Sequence, residues 1–197
     1  MTEMPYTYPQ RPLRVYRDQI PRFERERKEW ICEYKKNGLN LLIDRTDKGV
    51  VFWNRHKRVI TDFRLDDLRA RFMHLPLWTR LNGELIVKND LREIALWDVI
   101  ILEGNYHEGD TDRRGADLHR LMRYKQKENA YILQRFGRDF EERFEEAIRE
   151  YPVVEGLVFK KRKSRYRIAF SGENVDVSWI KMRCHDAHIL APGVKPF

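Results

Sequence analysis

The chain has 197 residues, 42% of them apolar, which is enough for one domain of ordinary size with a hydrophobic core. No apolar run approaches the length of a membrane-spanning helix, and the N-terminus lacks the charged-then-apolar order of a secretion signal, so we expect an intracellular, soluble, cytoplasmic protein with no membrane partner. The formal net charge of +8 favours a polyanionic partner, with nucleic acid preferred over a phosphorylated small ligand.

The first 21 residues carry four of the eight prolines, which predicts an extended arm or edge segment over 1–21 rather than a helix. The remainder, 22–197, is expected to form a single domain. Four short runs rich in β-branched and aromatic residues come next, separated by turn signals: WICEYK, LNLLID, GVVFWN and RVITDF. Their spacing predicts strands of an antiparallel meander.

Helical spacing appears in RLDDLRARFMHL, where Leu65, Leu68 and Phe72 form one apolar stripe. Strands are predicted again at GELIVKN and ALWDVIIL. From Asp117 to about Tyr151 the period is helical, most clearly in RDFEERFEEAIREY. Three strand-like runs, VEGLVFKK, RYRIAF and VSWIKMR, complete the pattern. The fold class expected from this order is α+β, with helices flanking antiparallel sheets.

The two cysteines, Cys32 and Cys184, belong to no CxxC pair or spaced Cys/His cluster. The sequence therefore predicts neither a disulfide framework nor a zinc site. His107 and His119, in a polar stretch, are expected to be surface groups rather than catalytic bases.

The stretch EYKKNGLN places Lys35 at the end of a predicted strand and before a glycine-containing turn. Such a lysine can be held with its amine in a cleft, where desolvation or clustered cations lower its pKa and make it a nucleophile. From these eight residues alone, a solvated basic hairpin is the simpler interpretation.

Six segments of the chain together bear on the choice between a solvated hairpin and a nucleophilic Lys35. They are KKNG at 35–38, FWNRHKRVIT at 52–61, LNGELIV at 81–87, LWDVIIL at 96–102, VEGLVFK at 154–160 and SWIKMR at 178–183. Each is weak alone, but in this order they resemble the signature boxes of the covalent nucleotidyltransferase superfamily, which comprises ATP-dependent DNA ligases, RNA ligases and mRNA capping enzymes. The resemblance implies an adenylation core of two antiparallel β-sheets flanked by helices around a nucleotide cleft.

The same resemblance implies a minimal ATP-dependent polynucleotide ligase that self-adenylates on a lysine, transfers AMP to a 5′-phosphate and seals a nick with a 3′-hydroxyl. It assigns roles as follows: Lys35 as nucleophile; Lys160, Lys181 and Arg183 as phosphate-binding cations; Glu155 and Glu84 as ligands of Mg²⁺ or Mn²⁺, with Glu84 also on the ribose; Trp97 and Glu33 on the adenine; Asn40 near the sugar or phosphates; and Arg55 as a nucleotide contact.

Several of these residues also have structural interpretations. Trp97 suits an ordinary half-buried strand, and Glu84 and Glu155 suit strand-edge charges that discourage aggregation. Lys181 and Arg183 alternate as they would on any half-buried strand. The basic run KKRKSRYR, 160–167, is equally consistent with a solvated turn and with a contact to a phosphate backbone, Tyr166 included.

Two departures from the family pattern matter. DNA ligases carry Asp-Gly and an arginine where this chain has Asn37-Gly38 and Asn40, a form that resembles RNA ligases, so the choice between a nicked DNA and a nicked RNA duplex stays open. After WIKMR we expect no OB-fold domain, which implies a partner protein in its place, slow adenylation or a preadenylylated substrate. The alternatives are a capping-type guanylyltransferase and a non-catalytic module that binds nicked or single-stranded nucleic acid.

Overall fold

The computed structural model describes residues 4–89, 91–123, 129–170 and 174–186. The parts of the predicted arm at 1–3 and of the predicted domain at 187–197 lie outside these ranges. The described strands are β1 (Arg11–Arg14), β2 (Trp30–Lys36), β3 (Leu39–Thr46), β4 (Gly49–Asn54), β5 (Thr79–Lys88), β6 (Leu91–Leu102), β7 (Asn105–Tyr106), β8 (Ala130–Ile132), β9 (Val154–Lys161) and β10 (Val175–Arg183). The described helices are α1 (Ile20–Arg25), α2 (Asp66–Ala70), α3 (Thr111–Met122) and α4 (Phe140–Arg149).

The described residues form two compact units. Unit 1 takes those within Met1–Gln10, Gly38–Leu133 and Arg165–Asn174, and unit 2 takes those within Arg11–Asn37, Gln134–Ser164 and Val175–Phe197. The predicted division at residue 21 stays a prediction. None of the described helices has the length and apolar character needed to cross a membrane.

Unit 1 is built on a six-stranded sheet with the order β4-β3-β5-β6-β7, to which β8 adds by pairing with β6. Because side chains alternate along a strand, one face carries the apolar residues of β3 and β5, including Leu41, Ile43 and Leu81. Leu68 of α2 and Leu118 of α3 pack against this face. All three residues of the stripe predicted in RLDDLRARFMHL, Leu65, Leu68 and Phe72, are buried in this core, but the α-helix covers only Asp66–Ala70 of that segment.

The opposite face of the unit 1 sheet carries buried charged side chains. Asp44 and Arg80, on neighbouring strands, form two hydrogen bonds of 2.6 Å each, with both side chains nearly inaccessible. Asp98 of β6 accepts a 2.7 Å hydrogen bond from Arg114 of α3. Each buried charge is thus compensated by an opposite one, as burial in low dielectric requires.

Unit 2 is built on a four-stranded sheet with the order β1-β10-β9-β2, in which β1 runs parallel to β10 and the other pairs are antiparallel. Its core is aromatic: Phe159 of β9 stacks on Phe23 of α1 and meets Phe140 of α4 edge to face. The stripe predicted in RDFEERFEEAIREY packs at Phe140 and Phe144. Tyr151 is exposed because it lies beyond the end of α4.

The α+β class with two largely antiparallel sheets is confirmed, but four local predictions are wrong. WICEYK does not form a hairpin with LNLLID, since β2 pairs with β9 and β3 pairs with β4 and β5. RVITDF contributes only an isolated bridge at Val59, and RYRIAF only one at Arg165. The helical period from Asp117 to Tyr151 is interrupted by β8, and 124–128 lie outside the described residues.

Three side chains with proposed surface roles are placed as follows. His119 is exposed, as predicted. His107 is not a surface group, because its side chain is only 8% exposed and its Nε2 lies 2.9 Å from Asp117 Oδ2. Tyr166 is buried and accepts a hydrogen bond from the Gln10 backbone N–H, so its ring is not available to stack on a nucleic-acid base. Cys32 and Cys184 are buried free thiols.

Candidate functional site

Five predicted site residues share one face of the unit 2 sheet. Residues two apart on a strand point to the same side, and the cross-strand partners continue that face from β2 through β9 to β10. Glu33 lies opposite Val158, which lies opposite Lys181, and Lys35 lies opposite Gly156, which lies opposite Arg183. Lys160 is opposite Trp179 on the same face. The face therefore carries the members Glu33, Lys35, Lys160, Lys181 and Arg183.

A β-bulge adds Glu155 to this group. Lys35 pairs with Gly156 but Lys36 pairs with Val154, so Glu155 is an extra residue on β9. Bulges re-aim side chains, and here the Glu155 carboxylate accepts a hydrogen bond and ion pair from Lys35 Nζ. Both side chains keep about a quarter of their surface exposed, at 22% and 23%. The Lys35 ammonium is therefore held at the strand end while still open to solvent.

Gly156 is required by the geometry of the bulge. Its φ is +145°, a conformation that favours glycine, and a Cβ there would lie 1.9 Å from the carbonyl oxygen of Met182. The glycine of VEGLVFK thus lets β9 approach β10 closely enough to keep the bulge, and the bulge in turn places Glu155 beside Lys35.

Glu33 is the centre of a buried charge cluster. Its carboxylate is 2% exposed and accepts a 2.6 Å hydrogen bond from Lys160 Nζ at one oxygen and a 2.8 Å hydrogen bond from Arg135 Nε at the other. The Lys160 ammonium also lies 4.3 Å from the centre of the Trp179 ring. Lys160 is itself 1% exposed, so its charge is compensated inside the protein.

The sequence did not identify Arg135. It lies 102 positions from Glu33 and stands in none of the six boxes. Its segment pairs with β2 through two backbone hydrogen bonds between Cys32 and Phe136, of 2.8 and 2.9 Å, which bring the Arg135 side chain alongside Glu33. No periodicity or motif signals such an isolated bridge.

Lys181 and Arg183 differ from Lys35 and Lys160 because neither has a carboxylate partner within the described residues. Burial lowers the pKa of Lys181, and repulsion from Arg183, Lys35 and two further arginines lowers it more. Arg183 Nε is buried without a hydrogen-bond partner in the described part of the chain. This end of the face therefore carries positive charge that an anion could compensate.

The remaining predicted residues lie in unit 1. Asn40 on β3 is directly opposite Glu84 on β5, and its Nδ2 donates a 3.2 Å hydrogen bond to Asn82. Asn40 Oδ1 is buried without a partner among the described residues. A Cβ on Gly38 would lie 2.8 Å from Glu84 Cγ, so this glycine allows the chain to pass close to β5.

Trp97 occupies a second bulge, between the pairs Asn82 with Asp98 and Gly83 with Leu96. It is half-buried there, which sets it apart from the fully buried core aromatics. Arg55 lies in the exposed turn that follows β4, and no described contact joins it to Asn40 or Glu84. The structure thus brings six predicted residues together in unit 2 and pairs two more in unit 1.

The two predicted metal ligands, Glu155 and Glu84, belong to different units. Among the described residues no group of three or more His, Cys, Asp or Glu side chains could enclose a metal ion. A Mg²⁺ ion is commonly held by only one or two carboxylates together with substrate phosphates. The donor set of unit 2, with Glu155 as its carboxylate, fits that arrangement and not an all-protein cage.

No family model matches this chain, and no curated protein matches it in sequence. Solved structures do match it. A mycobacterial DNA ligase D complexed with ATP and MES is 21% identical with a TM-score of 0.65, over 79% of this chain and 55% of that one. The ligase domain of M. tuberculosis LigD is 19% identical with a TM-score of 0.67, over 90% and 59%. The ATP-dependent DNA ligase of bacteriophage T7, in complex with ATP, is 16% identical with a TM-score of 0.62, over 89% and 68%.

These likenesses show a common fold, and the chain matches little more than half the length of the two ligase D structures. The fold defined by the two sheets is therefore the nucleotidyltransferase fold. More particularly, the chain has the fold of the adenylation domains of ATP-dependent DNA ligases, as the resemblance of its sequence boxes implies.

Proposed function

We propose that this chain is an ATP-dependent polynucleotide ligase that carries AMP on Lys35. One observation carries the proposal: the bulge in β9 fixes Lys35 beside Glu155, on a sheet face whose other end presents the uncompensated cations Lys181 and Arg183. A nucleophilic amine, a proton acceptor and cations for phosphate are the groups that nucleotidyl transfer requires.

In the proposed first step, Lys35 Nζ attacks the α-phosphorus of ATP in line with the leaving pyrophosphate. The ammonium must first lose a proton, and the Glu155 carboxylate, already its hydrogen-bond acceptor, is placed to receive it. A nitrogen–phosphorus bond forms and the bond between the α-phosphorus and the bridging oxygen breaks. The nitrogen then gives up a second proton to solvent, leaving an uncharged nitrogen bonded to the anionic phosphate of AMP, and free pyrophosphate.

Lys181 and Arg183 are proposed to hold the phosphate oxygens during this step. Negative charge on those oxygens would compensate the repulsion that now lowers the pKa of Lys181. Lys160 is assigned a different role from a free phosphate ligand, because its ammonium already neutralises Glu33. We propose that Lys160 and Arg135 fix the position of the Glu33 carboxylate, which then accepts a hydrogen bond from the adenine amino group.

The roles of the unit 1 residues rest on the sequence resemblance. Trp97 is proposed to stack on adenine, Glu84 to contact the ribose, and Asn40 and Arg55 to contact the sugar or phosphates. The free Oδ1 of Asn40, buried without a described partner, supports a polar contact there. Once the transferred proton has passed from Glu155 to solvent, its carboxylate would hold Mg²⁺ or Mn²⁺ together with the ATP phosphates, and the ion would neutralise charge on the leaving pyrophosphate.

The later steps would transfer AMP to the 5′-phosphate of a nicked DNA or RNA duplex and release it when the adjoining 3′-hydroxyl attacks that phosphate. The basic balance of the chain, +8 overall, suits such a substrate. Sealing of matched DNA, RNA and hybrid nicks would identify the duplex.

The first step can be tested by incubating the protein with α-labelled ATP or α-labelled GTP and a divalent ion. We expect acid-labile label from ATP on the wild type and none on Lys35→Ala. Lys36→Ala is the matched control, because Lys36 is the neighbouring lysine, lies over the Tyr34 ring and points to the other side of β2. It should be labelled like the wild type.

Labelling by GTP in preference to ATP would replace the ligase proposal with guanylyltransferase activity. Equal labelling of Lys35→Ala and wild type would remove Lys35 as the nucleophile. If neither nucleotide labels the wild type and a preadenylylated nick is not sealed, the catalytic proposal fails.

A further inference from the structure

The strand β1 extends the unit 2 face that carries Lys35 and Lys181 to the edge of the sheet. It begins with Arg11 opposite Val175 of β10. In an unbroken register Arg14, three residues later, would lie opposite Ser178. The register shifts within β1 instead, and Arg14 pairs with Lys181. Such irregularities re-aim side chains, and this one brings an arginine beside a lysine of the candidate site.

The Arg14 side chain points to the same side of the sheet as Lys181. Paired residues on neighbouring strands share a side, and alternation along β1 should then place Val15 on the other one. Val15 does pack against the aromatic core there. Arg14 is also among the cations whose repulsion lowers the pKa of Lys181. The candidate site face therefore ends in an arginine at the sheet edge.

Asp186 holds the Arg14 guanidinium in place. Arg14 Nε donates a 2.8 Å hydrogen bond to Asp186 Oδ2, and Arg14 Nη2 bonds the other carboxylate oxygen. His185 Nε2 lies 3.1 Å from the same carboxylate. The Asp186 side chain is 1% exposed, whereas that of Arg14 is 42% exposed. A guanidinium has five N–H donors and this pair uses two of them, so the exposed side of Arg14 keeps donors for a second anion.

Positive charge exceeds negative charge at this end of the face. Lys181 and Arg183 have no carboxylate partner among the described residues, and Arg14 has Asp186. One carboxylate thus stands beside three cations. Charge-assisted hydrogen bonds to a compact anion with several charged oxygens would compensate the excess. Pyrophosphate is an anion of that kind.

The order of the strands gives such an anion a place in the proposed reaction. In phosphoryl-type transfer the attacking and leaving atoms lie roughly in line through the phosphorus. Lys35 attacks from β2, and the cations lie away from it on β10 and then on β1. Neighbouring strands are about 4.8 Å apart, which puts β10 roughly 10 Å and β1 roughly 14 Å from β2. A triphosphate lying across the strands would meet Lys181 and Arg183 first and Arg14 last.

We propose that Arg14 binds the β- and γ-phosphates of ATP and holds them as pyrophosphate leaves, with Asp186 as its positioning residue. When the bond from the α-phosphorus to the bridging oxygen breaks, that oxygen keeps the electron pair and departs with the β-phosphate. The N–H donors of Arg14 help to compensate the charge gained. This inference rests on the proposed function for the direction of attack. Arg14 stands in none of the six boxes, so the resemblance assigns it no role.

The direct test is calorimetric titration of inorganic pyrophosphate and, separately, of AMP into the protein with Mg²⁺ present. Arg14→Gln removes charge-assisted hydrogen bonds to the β- and γ-phosphates and none to the α-phosphate. Its affinity for pyrophosphate should fall about tenfold or more, and its affinity for AMP by less than about twofold. The double variant Arg14→Gln/Asp186→Asn leaves no buried carboxylate unpaired and should show the same pattern.

The matched control is Arg17→Gln. Arg17 follows three residues later, is 35% exposed and pairs with Glu141 and Glu145 of α4, so it resembles Arg14 but lies outside the candidate site. The control should bind both ligands like the wild type. Unchanged pyrophosphate affinity in both Arg14 variants, or an equal loss in the control, would overturn the proposal. So would equal losses of pyrophosphate and AMP affinity.

The separate steps of ligation give a second readout. Lysine labelling by subsaturating ATP should be about tenfold slower or more in Arg14→Gln. Sealing of a preadenylylated nick releases AMP and no pyrophosphate, so its rate should change by less than about twofold. Equal losses in labelling and sealing would assign Arg14 to the nicked substrate and overturn the pyrophosphate site.

Pyrophosphate binding separates this inference from the proposed function. If pyrophosphate binds in an Arg14-dependent way but ATP never labels the wild type, the proposed function fails and the anion site stands. If ATP labels the wild type while Arg14→Gln binds pyrophosphate as tightly as the wild type does, this inference fails alone.

Discussion

The buried pair of Glu33 and Lys160 allows a quantitative test of the candidate site. Lys160→Met keeps an unbranched apolar stem but removes the ammonium that bonds one oxygen of Glu33. Breaking a fully buried ion pair from one side costs about 3–5 kcal/mol, because a charge is left without its partner. Arg135 still bonds the other oxygen of Glu33, so we expect a loss near the lower limit, about 3 kcal/mol in the free energy of unfolding.

The double variant Glu33→Gln/Lys160→Met should be more stable than the single variant. It removes both members of the buried pair, and the glutamine oxygen can still accept the hydrogen bond from Arg135, whose side chain reaches solvent with 17% exposure. We expect the double variant to recover at least about 1 kcal/mol of the loss, as when a buried pair is replaced by neutral groups.

Urea unfolding followed by tryptophan fluorescence measures both quantities, since Trp179 lies directly against Lys160. Lys161→Met is the matched control: it changes the next lysine of β9, which is exposed, and should alter stability by no more than about 0.5 kcal/mol. A loss below about 1 kcal/mol in Lys160→Met, or a double variant that is less stable than the single one, would refute the argument that Glu33 depends on Lys160 for charge compensation.

Two further predictions concern the same sheet. Gly156→Ala would force a Cβ to within 1.9 Å of the Met182 carbonyl oxygen at a φ of +145°. We therefore expect the free energy of unfolding, measured in urea, to fall by about 3 kcal/mol or more. A fall of less than about 1 kcal/mol would contradict the bulge geometry. Because the pKa of Lys181 is lowered from 10.5, the unfolded chain binds more protons than the folded one between the lowered value and 10.5, so this group's contribution to stability rises with pH there. Lys181→Met removes that titration. Its free energy of unfolding in urea, relative to that of the wild type, should be greatest near neutral pH and should decline as the pH approaches 10.5. A difference between the two proteins that does not vary with pH would refute the lowered pKa.

Alternation along single strands could be predicted from the sequence, and it accounts for much of the site. Glu33 and Lys35 are two residues apart, as are Lys181 and Arg183, so each pair had to share a face once a strand formed. The pairing of strands could not be predicted in the same way. Lys35 and Glu155 are 120 positions apart, and local turn signals favoured a hairpin across Asn37-Gly38 that does not exist.

The wrong hairpin has a physical explanation. A turn dipeptide reports that the chain can reverse direction, but the strands that flank it pair only if their apolar faces enter the same core. Here Cys32 of β2 belongs to the core with Phe159, whereas Leu41 of β3 belongs to the core with Leu81. Burial of these separate apolar faces decided the topology over the local signal.

The contact between Arg135 and Glu33 could not be predicted from the sequence for a related reason. Arg135 reaches Glu33 through a two-bond bridge in an otherwise irregular segment, and such a bridge leaves no periodic pattern.

The distribution of carboxylates over the unit 2 face places its cations in three different environments. Lys160 is buried with Glu33 and cannot lose that partner without a large cost, so it serves best as a fixed support. Lys35 and its partner Glu155 both remain partly exposed, so the amine can be reached from solvent. Lys181 and Arg183 have no described carboxylate partner, and the lowered pKa of Lys181 records the cost of burying an ammonium near other cations. A phosphate placed there would relieve the repulsion, so the least compensated part of this face in the folded protein is the part proposed to bind the nucleotide.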